Sequence, residues 1–312
     1  MGKFATFFKL FKENPDSLAA AVMVNLAKSS ISHYIPDAIF LRWQYRAIFG
    51  EPLCLKNPKT FNEKLQWLKL YDRRPEQQRL VDKYDVREYI SGIMGEEYLI
   101  PCLGVWEHVE DIDFASLPNR YVIKCTHDSG SVIICRNKEE FDVDNAKKKL
   151  AQSLKRNLFW HGREWPYKNL KPRIIVEQFM KTKDGQDLID YKFFCFNGVP
   201  QFLYVSQGLS NHATAHISYA SLEWEKEPFY REDFPVFDTL PEKPKTFEKM
   251  LEFSKILAKD FPFIRVDFYE IDGRLYFGEL TFFPGAGFTK FYPDKWNRII
   301  GDMIQLPMKN RS

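Results

Sequence analysis

Residues 264–282 read Ile264-Arg265-Val266-Asp267-Phe268-Tyr269-Glu270-Ile271-Asp272-Gly273-Arg274-Leu275-Tyr276-Phe277-Gly278-Glu279-Leu280-Thr281-Phe282, two largely apolar runs on either side of Asp272-Gly273. Asp-Gly between such runs is a strong hairpin signal. Residues two apart on a strand share a face, so Arg265 points with Asp267, and Glu279 with Thr281. Register decides whether the two pairs share that face. A two-residue turn sets Asp267 opposite Gly278 and turns Glu279 away, whereas a three-residue loop with Gly273 in the left-handed region brings both carboxylates together. We expect the three-residue loop with a bulge. Two carboxylates beside Arg265 suit Mg²⁺, which is usually bound by one or two carboxylates plus substrate phosphates. The competing reading is a structural ion-pair network on a sheet.

The same texture extends upstream. Asn197-Gly198 separates the apolar runs Tyr191 to Phe196 and Gln201 to Val205, a second hairpin, and Asp190 and Lys192 lie on its first strand. Further strands are expected at Tyr121 to Lys124, Val132 to Cys135 and Ile174 to Phe179, interleaved with helical patterns at Val143 to Leu158 and Phe247 to Lys259. Residues 1–75 read as helical: Leu18 to Leu26 is Ala-rich and apolar, and Phe61, Leu65 and Leu68 fall on one helical face that Pro58 and Thr60 introduce. The architecture is therefore α+β or α/β.

Two more segments carry candidate chemistry. Tyr121-Val122-Ile123-Lys124 runs into Cys125-Thr126-His127-Asp128-Ser129-Gly130-Ser131. A lysine at a strand's end can reach phosphate oxygens while a Ser/Gly loop folds backbone N–H groups over them. The Walker A spacing is absent. Arg173-Ile174-Ile175-Val176-Glu177-Gln178-Phe179-Met180 is an apolar strand whose end could offer backbone groups to an adenine edge. Each alone is matched by a plainer reading, a surface lysine before a turn and an ordinary buried strand.

Composition narrows the classes. Lys and Arg number 45 against 42 Asp and Glu, a net +3 in 312 residues, which gives no basic footprint for nucleic acid. The five cysteines include no C-x-x-C pair, so neither zinc nor a disulfide framework is indicated, and a reducing cytoplasmic setting is expected. No run approaches the roughly 18 to 20 apolar residues of a membrane span. The first twelve residues place Phe4, Phe7, Phe8, Leu10 and Phe11 among Lys3, Lys9 and Lys12. That stretch reads as an ordinary packing helix or as a basic amphipathic helix lying on the inner membrane face.

Taken in order, Asp82-Lys83 to Arg87, Val122-Ile123-Lys124 with His127 to Gly130, Ile174 to Phe179, Asp190 to Gly198, Arg265-Val266-Asp267 and Gly278-Glu279-Leu280-Thr281 resemble the TupA-like branch of the ATP-grasp superfamily over about residues 50 to 295. That branch is associated with bacterial capsule and exopolysaccharide assembly. The resemblance implies an ATP-grasp domain of two α+β subdomains over residues 76–312 with nucleotide between them, after a helical region over 1–75. It implies ATP and Mg²⁺ as cofactors. Lys83 and Lys124 resemble the phosphate lysines. The stretch Thr126 to Ser131, with His127, Ser129 and Gly130, is similar to the closing loop. Glu177, Gln178 and Phe179 resemble the adenine hinge, and Asp190 a further nucleotide-site residue. Asp267, Glu279 and Thr281 match the metal positions, Thr281 standing where many relatives carry Asn. Arg265 resembles the cation at the transferred phosphoryl group, and Lys192 a further phosphate contact.

The implied reaction is ATP-dependent ligation: a carboxylate becomes an acyl phosphate and an amine attacks it, releasing ADP and phosphate. The donor and acceptor would be a uronic acid or an amino acid, on a carrier or free. Rivals are a kinase acting on a sugar hydroxyl, a glycosyltransferase using Asp111-Ile112-Asp113 or Asp142-Val143-Asp144, and a non-catalytic ATP-binding scaffold.

Overall fold

The computed structural model describes residues 22, 25–26, 29–183, 185, 187–208 and 215–308. The stretch 1–12 and most of the segment from Leu18 to Leu26 lie outside the described residues. In chain order the main elements are α1 (Asp37–Phe49), α2 (Phe61–Tyr71), α3 (Pro75–Val81), α4 (Val86–Met94), β1 (Cys102–Trp106), β2 (Tyr121–Cys125), β3 (Ile133–Cys135), α5 (Val143–Leu154), α6 (Phe159–Gly162), β4 (Ile174–Gln178), β5 (Ile189–Phe196), β6 (Val199–Gln207), β7 (His216–Ser221), α7 (Phe247–Ala258), β8 (Phe263–Ile271), β9 (Arg274–Thr281) and α8 (Lys295–Asp302). The strands form two sheets, β1-β4-β2-β3 and β7-β6-β5-β8-β9. Every pairing in both is antiparallel, so the fold is α+β.

In the smaller sheet Tyr121, Ile123 and Cys125 of β2 and Ile174 and Val176 of β4 join Leu150 of α5 in one core. Strand alternation therefore leaves Lys124 and Glu177 on the opposite face. In the larger sheet the face carrying Phe193 and Phe268 packs under α7, with Phe193 and Phe247 ring centroids 5.6 Å apart. The other face is divided. At one end Phe194, Phe196 and Phe263 receive Phe61 of α2, whose ring centre lies 5.0 Å from that of Phe263. At the other end the same face carries Asp190, Lys192, Arg265 and Asp267.

Helix α2 starts where the sequence places it. Thr60 Oγ1 accepts from Glu63 N at 3.2 Å and Glu63 Oε2 accepts from Thr60 N at 3.0 Å, a capping box that satisfies orphan N–H groups at the helix start. Helices continue past residue 75 through α3 and α4 to the first strand at Cys102. Leu41, Tyr45, Phe61 and Leu65 belong to the same apolar cluster as the larger sheet, because a sheet face rich in Phe needs covering and α1 and α2 supply the cover.

Both hairpins turn on two residues. Phe196 pairs with Val199 across Asn197 (φ 50) and Gly198 (φ 83). Ile271 pairs with Arg274 across Asp272 (φ 53) and Gly273 (φ 77). Positive φ at both central positions is the mirror-image turn that matches strand twist, and it corrects the expected three-residue loop. The carboxylates meet all the same. The register shifts after Phe268, which faces Phe277, so that Asp267 faces Glu279 and Gly278 is the extra residue of a bulge. A Cβ on Gly278 would lie 2.9 Å from the Asp267 carbonyl oxygen, which is why the bulge falls on a glycine.

Candidate functional site

On the larger sheet, Lys192 of β5 stands opposite Asp267 of β8, which stands opposite Glu279 of β9. Arg265 grips Asp267 with two bonds, Nε to Oδ1 at 2.7 Å and Nη2 to Oδ2 at 2.6 Å, and the same Nη2 donates to Glu279 Oε1 at 3.0 Å and Thr281 Oγ1 at 3.1 Å. Sharing one nitrogen, the two carboxylates lie within about two hydrogen-bond lengths of each other. Lys192 Nζ reaches Asp267 Oδ2 at 3.1 Å and Asp190 Oδ1 at 2.8 Å, and Ser206 Oγ donates to Asp190 Oδ2 at 3.4 Å.

Burial divides these groups. The Asp267 side chain is 2% exposed and that of Glu279 48%. Burial pushes the Asp267 carboxyl up, against the pull of Arg265 and Lys192. Glu279 goes the other way: partial desolvation tends to raise it, but Arg265, Lys192 and Lys83 together bring it down to about 2. Burial disfavours the Lys192 ammonium, and Asp190 and Asp267 overcome it, holding its pKa well above the usual lysine range.

The smaller sheet brings Lys124 and Glu177 together, Nζ to Oε2 at 2.6 Å, and Arg87 of α4 stands 3.6 Å from Glu177 Oε1. Lys83 packs against the loop that follows β2, its backbone N–H donating to the Thr126 carbonyl at 3.1 Å. Its Nζ donates to the Asp128 carbonyl at 2.5 Å; burial lowers its pKa, while Glu279 of the larger sheet is the strongest charge acting on it, ahead of Lys124. Asp82 anchors the backbone before it: Oδ2 accepts from Thr126 Oγ1 at 2.7 Å and Oδ1 from Arg173 Nη2 at 3.0 Å.

The expected closing loop is buried except at its tip. Thr126, His127, Asp128 and Ser131 are buried, with His127 Nε2 3.2 Å from the Ser153 carbonyl oxygen of α5 and Ser131 Oγ between Asp128 Oδ1 and Cys125 N. The His127 and Ser131 side chains are thus engaged within the protein. Ser129 and Gly130, the latter at φ 88, form the exposed tip. At the expected hinge, Glu177 pairs with Lys124, and the Gln178 N–H donates to the Pro101 carbonyl at 2.9 Å. Phe179 follows the last paired residue, 5.4 Å from the Arg136 guanidinium carbon. Asp190 holds Lys192 at the back of the site.

Sequence reading assigned no role to the buried polar stripe on α2. Asn62, Gln66 and Lys69, at i, i+4 and i+7, share one helical face. Asn62 Nδ2 donates to the Gly287 and Thr289 carbonyls (3.0 and 2.8 Å), Gln66 Nε2 to Gly287 (2.9 Å), and Lys69 Nζ to Ala286 and Gly162 (2.6 and 2.7 Å). The stripe thus holds the loop that follows Thr281. Polar residues at helical spacing on an apolar helix were the available signal. Arg87 was in view as part of a motif but had no role until Glu177 came beside it.

These residues fit Mg²⁺ completed by phosphates better than a metal held by protein alone. No cluster of three or more His, Cys, Asp or Glu that could hold a metal occurs among the described residues, whereas two convergent carboxylates with a neighbouring hydroxyl are a usual magnesium donor set. Glu279 Oε2 makes no hydrogen bond among the described residues. Asp142, by contrast, caps α5 through Asn145 N at 2.9 Å, and Asp113 accepts from Ala115 N at 3.0 Å, the ordinary local uses of these aspartates.

A family model for TupA-like ATPgrasp proteins matches residues 63–305, from within α2 to beyond α8, a range that includes Lys83, Lys124, Glu177, Lys192, Arg265, Asp267 and Glu279. The chain belongs to the TupA-like ATP-grasp family. Similar solved structures include a D-alanine–D-alanine ligase from Bacillus anthracis complexed with ATP (14% identity, TM-score 0.38, 65% of this chain and 55% of that one). Another is the D-alanine–D-alanine ligase of Helicobacter pylori (15%, 0.43, 79% and 69%). A RimK domain ATP-grasp protein from Sphaerobacter thermophilus is a third (10%, 0.40, 80% and 73%). The match thus spans about half the length of the Bacillus anthracis ligase. No curated protein sequence matches the chain. Within this ATP-grasp chain Thr281 keeps its hydroxyl against Glu279 Oε1 at 3.2 Å.

Proposed function

We propose that the protein is an ATP-dependent carboxylate–amine ligase that works through an acyl phosphate on a precursor of a bacterial surface polysaccharide. The observation that carries this reading is the convergence of Asp267 and Glu279 on Arg265. Nucleotide between the sheets would meet Lys83 and Lys124 at its phosphates and Ser129-Gly130 at the loop tip. Magnesium, held by Asp267 and Glu279 with Thr281 beside them, would neutralise phosphate charge.

In the first step an oxygen of the donor carboxylate attacks the γ-phosphorus and ADP departs. Phosphoryl transfer asks for positioning and charge stabilisation rather than covalent help. Arg265 and Lys192 supply positive charge where the transferred group and the acyl phosphate would lie. An amine then attacks the carbonyl carbon, the C–O bond to phosphate breaks, and the amine proton passes to solvent. The donor is proposed to be a uronic acid or amino acid, free or on a carrier.

Incubation with ATP, Mg²⁺ and panels of uronic acids, amino acids and amines tests this. ADP and free phosphate should appear only with a matching carboxylate and amine, together with an amide. Phosphate retained on a sugar hydroxyl, or turnover of a nucleotide sugar without ATP, would replace ligation with kinase or glycosyltransferase chemistry.

A further inference from the structure

Four large apolar side chains are exposed within thirteen residues at the start of the described chain: Ile31 (65%), Tyr34 (89%), Ile39 (40%) and Trp43 (51%). Ile39, Arg42, Trp43 and Arg46 are spaced i, i+3, i+4 and i+7 on α1, all four are exposed, and they form one stripe. The opposite face of the same helix, Phe40, Leu41, Gln44 and Tyr45, is buried. The helix is thus fixed to the protein by one face and offers aromatic and guanidinium groups on the other.

Charge points to the occupant. Residues 1–50 contain six Lys or Arg against three Asp or Glu, the whole of the chain's net +3, so the remainder is neutral overall. From Ser17 to Gly50 the only acidic residue is Asp37, and Arg73 and Arg163 already engage it at 2.6 and 3.2 Å. Neither Arg42 nor Arg46 forms an ion pair among the described residues. Trp and Tyr favour the headgroup level of a bilayer, and Lys or Arg beside an anionic leaflet is attracted to its surface charge. The first twelve residues add Lys3, Lys9 and Lys12 with four Phe, and no acidic residue precedes Glu13.

We propose that the stripe of Ile39, Arg42, Trp43 and Arg46, with the exposed Ile31 and Tyr34 just before it in the chain, docks on an anionic bilayer surface. The contact is peripheral, since no helix among the described residues is long and apolar enough to cross a membrane. It is independent of the ligase reading.

Flotation of the full chain with vesicles of phosphatidylcholine, or of phosphatidylcholine mixed with phosphatidylglycerol, tests it. The protein should float with the mixed vesicles and stay behind with phosphatidylcholine alone. Arg42→Glu with Arg46→Glu, and separately Ile39→Asp with Trp43→Asp, should each lower partitioning about tenfold or more, with unchanged melting temperature because the positions are exposed. No flotation by the wild type, equal flotation with both vesicle types, or both variants floating like the wild type overturns the proposal. So does a wild-type dimer by size-exclusion chromatography that Ile39→Asp with Trp43→Asp converts to monomer, which would make a second copy the occupant.

Discussion

The Asp267 carbonyl oxygen lies 2.9 Å from the place a Cβ on Gly278 would occupy. This close approach sets the register that turns Glu279 toward Asp267, because Gly278 is the extra residue in the ladder.

Gly278→Val should therefore push the two backbones apart and favour the register without a bulge, which sends Glu279 to the opposite face. We expect loss of nucleotide-dependent stabilisation and a drop of several degrees in Tm. Thermal melts with and without Mg-ATP measure both. An unchanged ATP-dependent shift would show that the bulge is not required.

Asp267 and Glu279 should separate stability from turnover. Asp267→Asn leaves the buried Arg265 and Lys192 short of their counter-charge, and breaking such a buried pair costs about 3–5 kcal/mol. Glu279→Gln alters a half-exposed side chain and should leave denaturant unfolding nearly unchanged. Each should cut ATP-dependent turnover by orders of magnitude. Equal stability of the two variants would contradict the burial argument.

Lys124→Ala should remove most of the rise in Tm that Mg-ATP gives, by losing binding to the native state. Glu177→Gln should weaken it less, since Glu177 orients Lys124 through the 2.6 Å contact without meeting phosphate itself. A full shift in the alanine variant, seen by differential scanning fluorimetry, removes the phosphate role from this lysine.

The buried pair Lys69 and Glu164 should leave a pH signature. Burial lowers Lys69 to about 7 and raises Glu164 to about 7. A raised carboxyl contributes stability fully below its unfolded pKa and loses it as pH rises through 7. A lowered lysine contributes fully above its unfolded pKa and loses it as pH falls through 7. Their joint contribution is smallest near pH 7. Urea unfolding of wild type and of the Lys69→Met, Glu164→Gln double variant across pH 5 to 10, compared by difference, should show a dip near neutrality; a flat difference would count against the coupling.

From the amino-acid order alone came the two hairpin sites, the Thr60 start of α2, and the same-face pairing of Arg265 with Asp267 and of Glu279 with Thr281, while Lys83 and the ATP-grasp class entered through the family resemblance. The hairpins, the cap and the same-face pairs follow from short-range physics: turn geometry, strand alternation and helix capping act over a few residues and leave their marks in sequence. Tertiary structure decided the rest. A bulge at Gly278 depends on how closely a neighbouring strand approaches, which no local pattern records. Whether Glu177 faces adenine or clamps Lys124 depends on Arg87 and β2 arriving beside it. The Asn62, Gln66 and Lys69 stripe acquired its role only when a loop more than two hundred residues away presented its carbonyls to α2. Burial of those polar groups is tolerable because each finds a partner in the folded chain, and partners distant in sequence are fixed only by folding.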